Sequence, residues 1–190
     1  MAIIAYVKET KEKNILLGIV GEENSRYTIS PRAYEELGAL ARGAEIDSET
    51  LLEIKRLDER YRAKKKALSL LALADNNQKT LTAKLRRQGY SRECVESTVS
   101  EMVRLGYINE ERQLLRLVLL AAEKLWGPRK IFAYLSSKGY QSADIRRALD
   151  SLQDSGEIDF EAQKIKLLEK KLSPDADAEE KKELLYKNGF

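Results

Sequence analysis

Leu81-x-x-x-Leu85-x-x-x-Gly89-Tyr90 and, fifty residues later, Ile131-x-x-x-Leu135-x-x-x-Gly139-Tyr140 decide the fold. The first stretch is followed by Val95, Val99, Met102 and Gly106-Tyr107-Ile108. The second is followed in the same phase by Ile145, Leu149, Leu152 and Gly156-Glu157-Ile158. The i, i+4 pair Leu81/Leu85 puts one apolar stripe on a short helix. Gly89 stands where a helix ends through a left-handed residue, and Tyr90 folds back over the last turn. Ser91 N-caps the next helix, which carries Val95, Val99 and Met102 on one side, and Gly106 closes it. Asn109 caps a further helix, with Glu110 and Glu111 at its positive end. Each helix is too short to stand alone, so three pack together, and the period of fifty repeats the bundle. A third copy starts with Leu185-x-x-x-Gly189-Phe190 and stops there, leaving Leu184 and Leu185 short of cover.

Upstream of the repeat the pattern changes to strands. Ile3–Val7 and Ile15–Val20 are apolar and β-branched, Tyr27-Thr28-Ile29 is a short third run, and polar turns at 11–14 and Glu22–Ser25 separate them. Ser30-Pro31 opens a short helix to about Leu37, and Asp47-Ser48 starts a charged helix running to about Ala74. The expected fold is mainly α: tandem three-helix, helix-turn-helix-like repeats preceded by a small antiparallel β region. Its expected divisions are a β-rich region with a short helix (1–46), a charged linking helix (47–66), repeat 1 (67–112), repeat 2 (113–162) and an incomplete repeat 3 (163–190).

Composition narrows the chemistry. The chain has 190 residues, one cysteine and no histidine. That excludes an internal disulfide, a Cys-His or Ser-His pair and histidine-bearing zinc sites. Cys94 reads as a small buried helix residue. No phosphate loop of the GxxxxGK[ST] or GxGxxG type occurs. Glu22-Glu23, Glu35-Glu36 and Glu179-Glu180 read as surface charge. We expect no catalytic residues, no metal and no cofactor. No apolar run reaches the roughly 18 residues of a membrane span, and no signal peptide is legible, so a cytoplasmic protein is expected.

Net charge of +3 hides a pattern: residues 1–61 carry −3, residues 62–149 carry +10 and residues 150–190 carry −4. A basic centre between acidic ends suits a polyanion or an acidic groove. The candidate contact residues are Lys84, Arg86, Arg87, Arg104, Arg116, Arg129, Lys130, Lys138, Arg146 and Arg147. Arginine and lysine on the equivalent helices of successive units could follow regularly spaced phosphates or carboxylates. Tyr90 and Tyr140 read as cap and core residues and Trp126 as packing at a helix junction, so base stacking is not expected.

Four stretches taken in order resemble the RecX family, regulators of the bacterial recombinase RecA: Lys84-Leu85-Arg86-Arg87-Gln88-Gly89-Tyr90, Leu105-Gly106-Tyr107-Ile108-Asn109-Glu110-Glu111, Gly127-Pro128-Arg129-Lys130-Ile131 and Leu135-Ser136-Ser137-Lys138-Gly139-Tyr140. They span about residues 67–160, and the β-rich extension is similar to that of longer members. The resemblance implies a non-enzymatic modulator lying in the groove of the RecA–DNA filament. It implies inhibition of ATPase and strand exchange, or filament disassembly. The implied partners are the RecA filament and the single-stranded DNA within it, with weaker binding to free DNA and a monomer when free. Two stretches depart from the pattern: Asp75-Asn76-Asn77-Gln78 replaces arginines before the second helix, and residues 173–178 form an acidic spacer. The alternative reading is a stand-alone DNA-binding protein using helix-turn-helix-like modules.

Overall fold

The computed structural model describes residues 2–21 and 25–190, so Glu22, Glu23 and Asn24 of the expected turn lie outside the described residues. Thirteen elements follow in order among the described residues: β1 (Ala2–Glu9), β2 (Ile15–Val20), β3 (Arg26–Ile29), α1 (Pro31–Glu36), β4 (Glu45–Ile46), α2 (Ser48–Leu73), α3 (Gln78–Arg87), α4 (Arg92–Arg104), α5 (Glu110–Ala122), α6 (Pro128–Ser137), α7 (Ser142–Asp154), α8 (Phe160–Lys171) and α9 (Ala178–Asn188). The chain is mainly helical with a small antiparallel sheet at its start. None of the described helices is long and apolar enough to cross a membrane.

Two compact units divide the chain. The first comprises the residues up to Ala74 together with Leu81–Leu105; the second comprises Asp75–Thr80 and Gly106–Phe190. The units are therefore interleaved along the sequence.

In the first unit the strands run in the order β3-β2-β1-β4, all antiparallel. Their buried side chains, among them Ile4, Leu17, Ile19 and Ile29, meet Ile54 of α2. β4 is two residues long, and nothing in the periodicity of Glu45-Ile46 announces a strand; pairing of Ala2 with Ile46 and Ile3 with Glu45 creates it. Asp58, only 4% exposed, accepts a hydrogen bond from the Thr28 main-chain N–H at 2.7 Å and pairs with Arg62. A buried carboxylate thus ties β3 to α2, and the Asp58 partner raises the Arg62 guanidinium pKa. α2 is continuous from Ser48 to Leu73, so the linking helix and the first helix of repeat 1 are one element. Its N-cap is Asp47, whose side chain accepts from Thr50 N–H.

In the second unit Leu114, Val118, Ile131, Leu135, Ile145, Leu149 and Leu152 close the core of α5, α6 and α7. The end of α6 follows from Gly139. It has φ +93°, Gly139 N–H donates to Ser136 O, and Tyr140 N–H reaches back to Leu135 O at 3.3 Å, the Schellman arrangement. Tyr140 is buried and its hydroxyl donates to Gln113 Oε1 at 3.1 Å. Leu184 and Leu185 of α9 are half-buried. At the end of α9, Gly127 N–H donates to Asn188 O at 2.7 Å and Arg129 N–H to Gly189 O at 3.1 Å. The first amides of α6, orphaned in an isolated helix, are satisfied this way.

Candidate functional site

The ten candidate cations divide between the units. Lys84, Arg86 and Arg87 lie on α3 and Arg104 closes α4, all in the first unit and all exposed. Arg86 stands 3.7 Å from Glu96, an exposed pair of little energetic weight. Arg87 and Arg104 have no ion-pair partner among the described residues. Arg104 lines a shallow cavity of about 650 Å³ with Arg32, Arg60 and Lys64.

In the second unit the cations are engaged. Arg116 pairs with Asp75, and Arg147 with Asp144. Arg129 donates to the Phe190 main-chain oxygen and lies over the Tyr186 ring at 5.8 Å. Lys130 stands 3.3 Å from Asn188 Oδ1 and 5.0 Å from the Trp126 ring centroid. Lys138 lies 5.4 Å from the Tyr134 centroid, and the Arg146 guanidinium 5.6 Å from that of Phe132. Arg129 and Lys130 therefore hold the C-terminal segment against α6 as well as carrying charge.

Two features escaped the sequence reading. Asn77 is buried, caps α3 by accepting from Thr80 N–H at 2.8 Å, and donates to Lys138 O at 3.0 Å. The non-arginine stretch 75–78 thus has structural work, with Asp75 on Arg116 and the Asn76 carbonyl accepting from Gln113 at 3.4 Å. The other feature is a face of alternating rings and cations on α6: Trp126, Lys130, Tyr134 and Lys138 recur every four residues. The spacing was visible in the sequence. Trp126 itself precedes the helix, across an elbow where Leu125 takes φ +58°.

Cys94 is buried, and burial first, then the nearby Glu59 charge, pushes its thiol pKa up. That is the environment of an inert structural cysteine.

Known proteins agree with this architecture. No protein-family model matches the chain. The regulatory protein RecX of Caldanaerobacter subterraneus subsp. tengcongensis is 28% identical over 191 residues, covering 100% of this chain and 94% of that protein. RecX of Pseudomonas syringae pv. tomato is 34% identical over 93 residues, covering 49% of this chain and 60% of the relative's length. Among solved structures, a crystal structure of regulatory protein RecX superposes with a TM-score of 0.72 at 18% identity, over 100% of this chain and 95% of that one. RecX from Lactobacillus salivarius gives 0.59 at 19% identity, over 70% and 89%. These two establish likeness of fold. The full-length sequence match, the partial matches of higher identity and the order of the four motifs converge: the chain is similar along its whole length to the RecX regulatory proteins.

Proposed function

We propose that this chain is a non-enzymatic modulator of the RecA recombinase. It acts in the cytoplasm as a monomer that lies in the groove of the RecA–DNA filament. There it lowers ATP hydrolysis and strand exchange or drives disassembly. The observation that carries the reading is full-length similarity to RecX proteins joined to a +10 central block, residues 62–149, whose candidate contacts are exposed or half-buried. A groove containing nucleic acid and bounded by protein is a polyanionic environment, which such a block complements. Of the candidates, Arg87, Arg104, Arg146 and Lys138 are the more adaptable contacts. Arg129 and Lys130 combine any contact with holding α9.

The test is RecA's ATPase on single-stranded DNA with this chain added at equimolar ratio, alongside filament length by electron microscopy. Hydrolysis falls or filaments shorten on this reading, and Arg87→Glu with Arg146→Glu weakens the effect while leaving the helical circular dichroism intact. No change in hydrolysis or length would overturn it. Tight binding to free duplex, with a salt slope near −0.9 per phosphate contacted, would favour the stand-alone DNA-binding alternative.

A further inference from the structure

We propose that the second unit carries a corner for one unpaired base of single-stranded DNA, walled by Trp126 and Tyr134 and bordered by lysines. The two rings meet edge to face, with centroids 5.4 Å apart and planes at 79°. A flat base laid on one ring presents its edge to the other. The nearly perpendicular walls take one base and do not extend into a stacked run.

Cations surround the corner. Lys130 and Lys124 lie 5.0 Å and 5.7 Å from the Trp126 centroid, and Lys138 lies 5.4 Å from that of Tyr134. An ammonium on a four-carbon stem is a mobile point charge. Each can leave the ring for a backbone phosphate as a base takes its place. Rings and cations in one place are what single-strand binders combine. Trp126 and Tyr134 are half-buried, packed against the unit's core, so the corner is formed before a ligand arrives.

The repeat supplies an independent argument. Fifty residues upstream, Trp126, Tyr134 and Lys138 are matched by Asn76, Lys84 and Gln88. A ring needed for the bundle itself recurs with the bundle, as Tyr90 and Tyr140 do. These two do not recur, so the ringed corner is particular to the second unit, where both rings also pack against its core.

A duplex keeps its bases paired and stacked, and an acidic peptide has no flat base to offer. A strand with unpaired bases is therefore the ligand. That it is DNA rather than RNA rests on the RecA reading above; the corner itself does not.

Trp126 is the chain's single tryptophan, so its emission reports on the corner directly. The full chain is titrated with a fifteen-nucleotide oligothymidylate, following Trp126 emission and the anisotropy of a labelled strand. Emission is quenched in step with binding. An abasic strand with the same phosphates binds at least about fivefold more weakly and does not quench. Tyr134→Ala weakens oligothymidylate binding by a similar factor and Tyr134→Phe restores it. Lys124→Ala and Lys138→Ala each reduce the salt slope by about 0.7. Equal binding of the abasic strand, saturation without any change in emission, or equal quenching by polyglutamate would each overturn the corner. Tighter binding of oligouridylate than of oligothymidylate would overturn the assignment to DNA. None of these assays contains RecA, so their failure is distinct from a negative ATPase result.

Discussion

Replacing Gly127 by alanine adds one carbon where two main chains cross in the second unit. Gly127 has φ −77° and ψ 168°, which any residue adopts, so the change carries no torsional cost. Its added Cβ would stand 2.4 Å from the Gly189 carbonyl oxygen, 2.5 Å from the Gly189 carbonyl carbon and 2.7 Å from the Phe190 nitrogen. All three are backbone atoms, and no side-chain rotation relieves them. One response is a shift of the two chains, costing about 1–3 kcal/mol as overpacking does. The other is release of residues 188–190, which breaks the hydrogen bonds from Gly127 N–H to Asn188 O and from Arg129 N–H to Gly189 O. At about 1 kcal/mol each, these put the cost near 2 kcal/mol before the contacts of Phe190 with the core are counted. Amide hydrogen exchange followed by NMR reads the effect locally: about 2 kcal/mol is a roughly thirtyfold loss of protection at Gly127 and Arg129. Gly89→Ala is the control. Its φ is +86° but nothing lies within 4 Å of an added Cβ, so it brings only a left-handed cost of about 1–2 kcal/mol, in the first unit. It leaves the Gly127 and Arg129 amides as they are. Unchanged protection of both amides in Gly127→Ala would refute the idea that this close crossing seats the C-terminal segment.

Other substitutions and titrations check the remaining features. Asp58→Ala strands the Thr28 N–H and lowers stability by about 1–3 kcal/mol in urea titration; Asp58→Asn, which keeps an acceptor, recovers a large part, and a wild-type midpoint for the alanine variant would contradict the tie between β3 and α2. Burial first, then the Glu110 charge, raises the Tyr140 phenol pKa above its ordinary value near 10. The folded state therefore holds that proton more tightly, and the resulting stability is full below about pH 10 and is lost as pH rises through the folded pKa. Thermal melts from pH 7 to 11 should show an alkaline decline that Tyr140→Phe reduces. Cys94, buried and with its thiol pKa raised, should react with a disulfide reagent at pH 8 far more slowly in the folded chain than in urea; equal rates would mean the thiol is open.

The helices were legible because their boundaries are written in local chemistry. Ser91, Asn109 and Asp47 are side chains that cap, and all three do. Gly89 and Gly139 stop helices by taking a conformation other residues resist. β4 was not legible, since two residues carry no period and only the partner strand makes them a strand. Likewise Asn77 looked like a lost arginine; its hydrogen bond to Lys138 O spans 61 residues of sequence. The basic candidates could be named from charge alone. Charge does not say that Arg116 meets Asp75 or that Arg129 meets Phe190, because those partners are distant along the chain. Trp126 read as packing, which it is; the right angle it makes with Tyr134 has no sequence counterpart.

The interleaving of the two units limits how the protein can be cut and how it can be built. A fragment starting at Gly106 lacks Asp75, Asn76 and Asn77, and so leaves Arg116, Gln113 and the Lys138 carbonyl without the partners that residues 75–80 supply. A fragment starting at Asp75 keeps them but carries Leu81–Leu105 away from the sheet and α2 that complete its unit. Deletion mapping with either fragment would confuse loss of a binding surface with loss of a fold, and point substitutions on the intact chain are the sounder instrument. During synthesis, residues 75–80 emerge ahead of every other residue of their unit and wait for about twenty-five residues of the other unit to pass before their partners begin to appear. The first unit can close in that interval, so the chain is ordered to fold from its N-terminus forward.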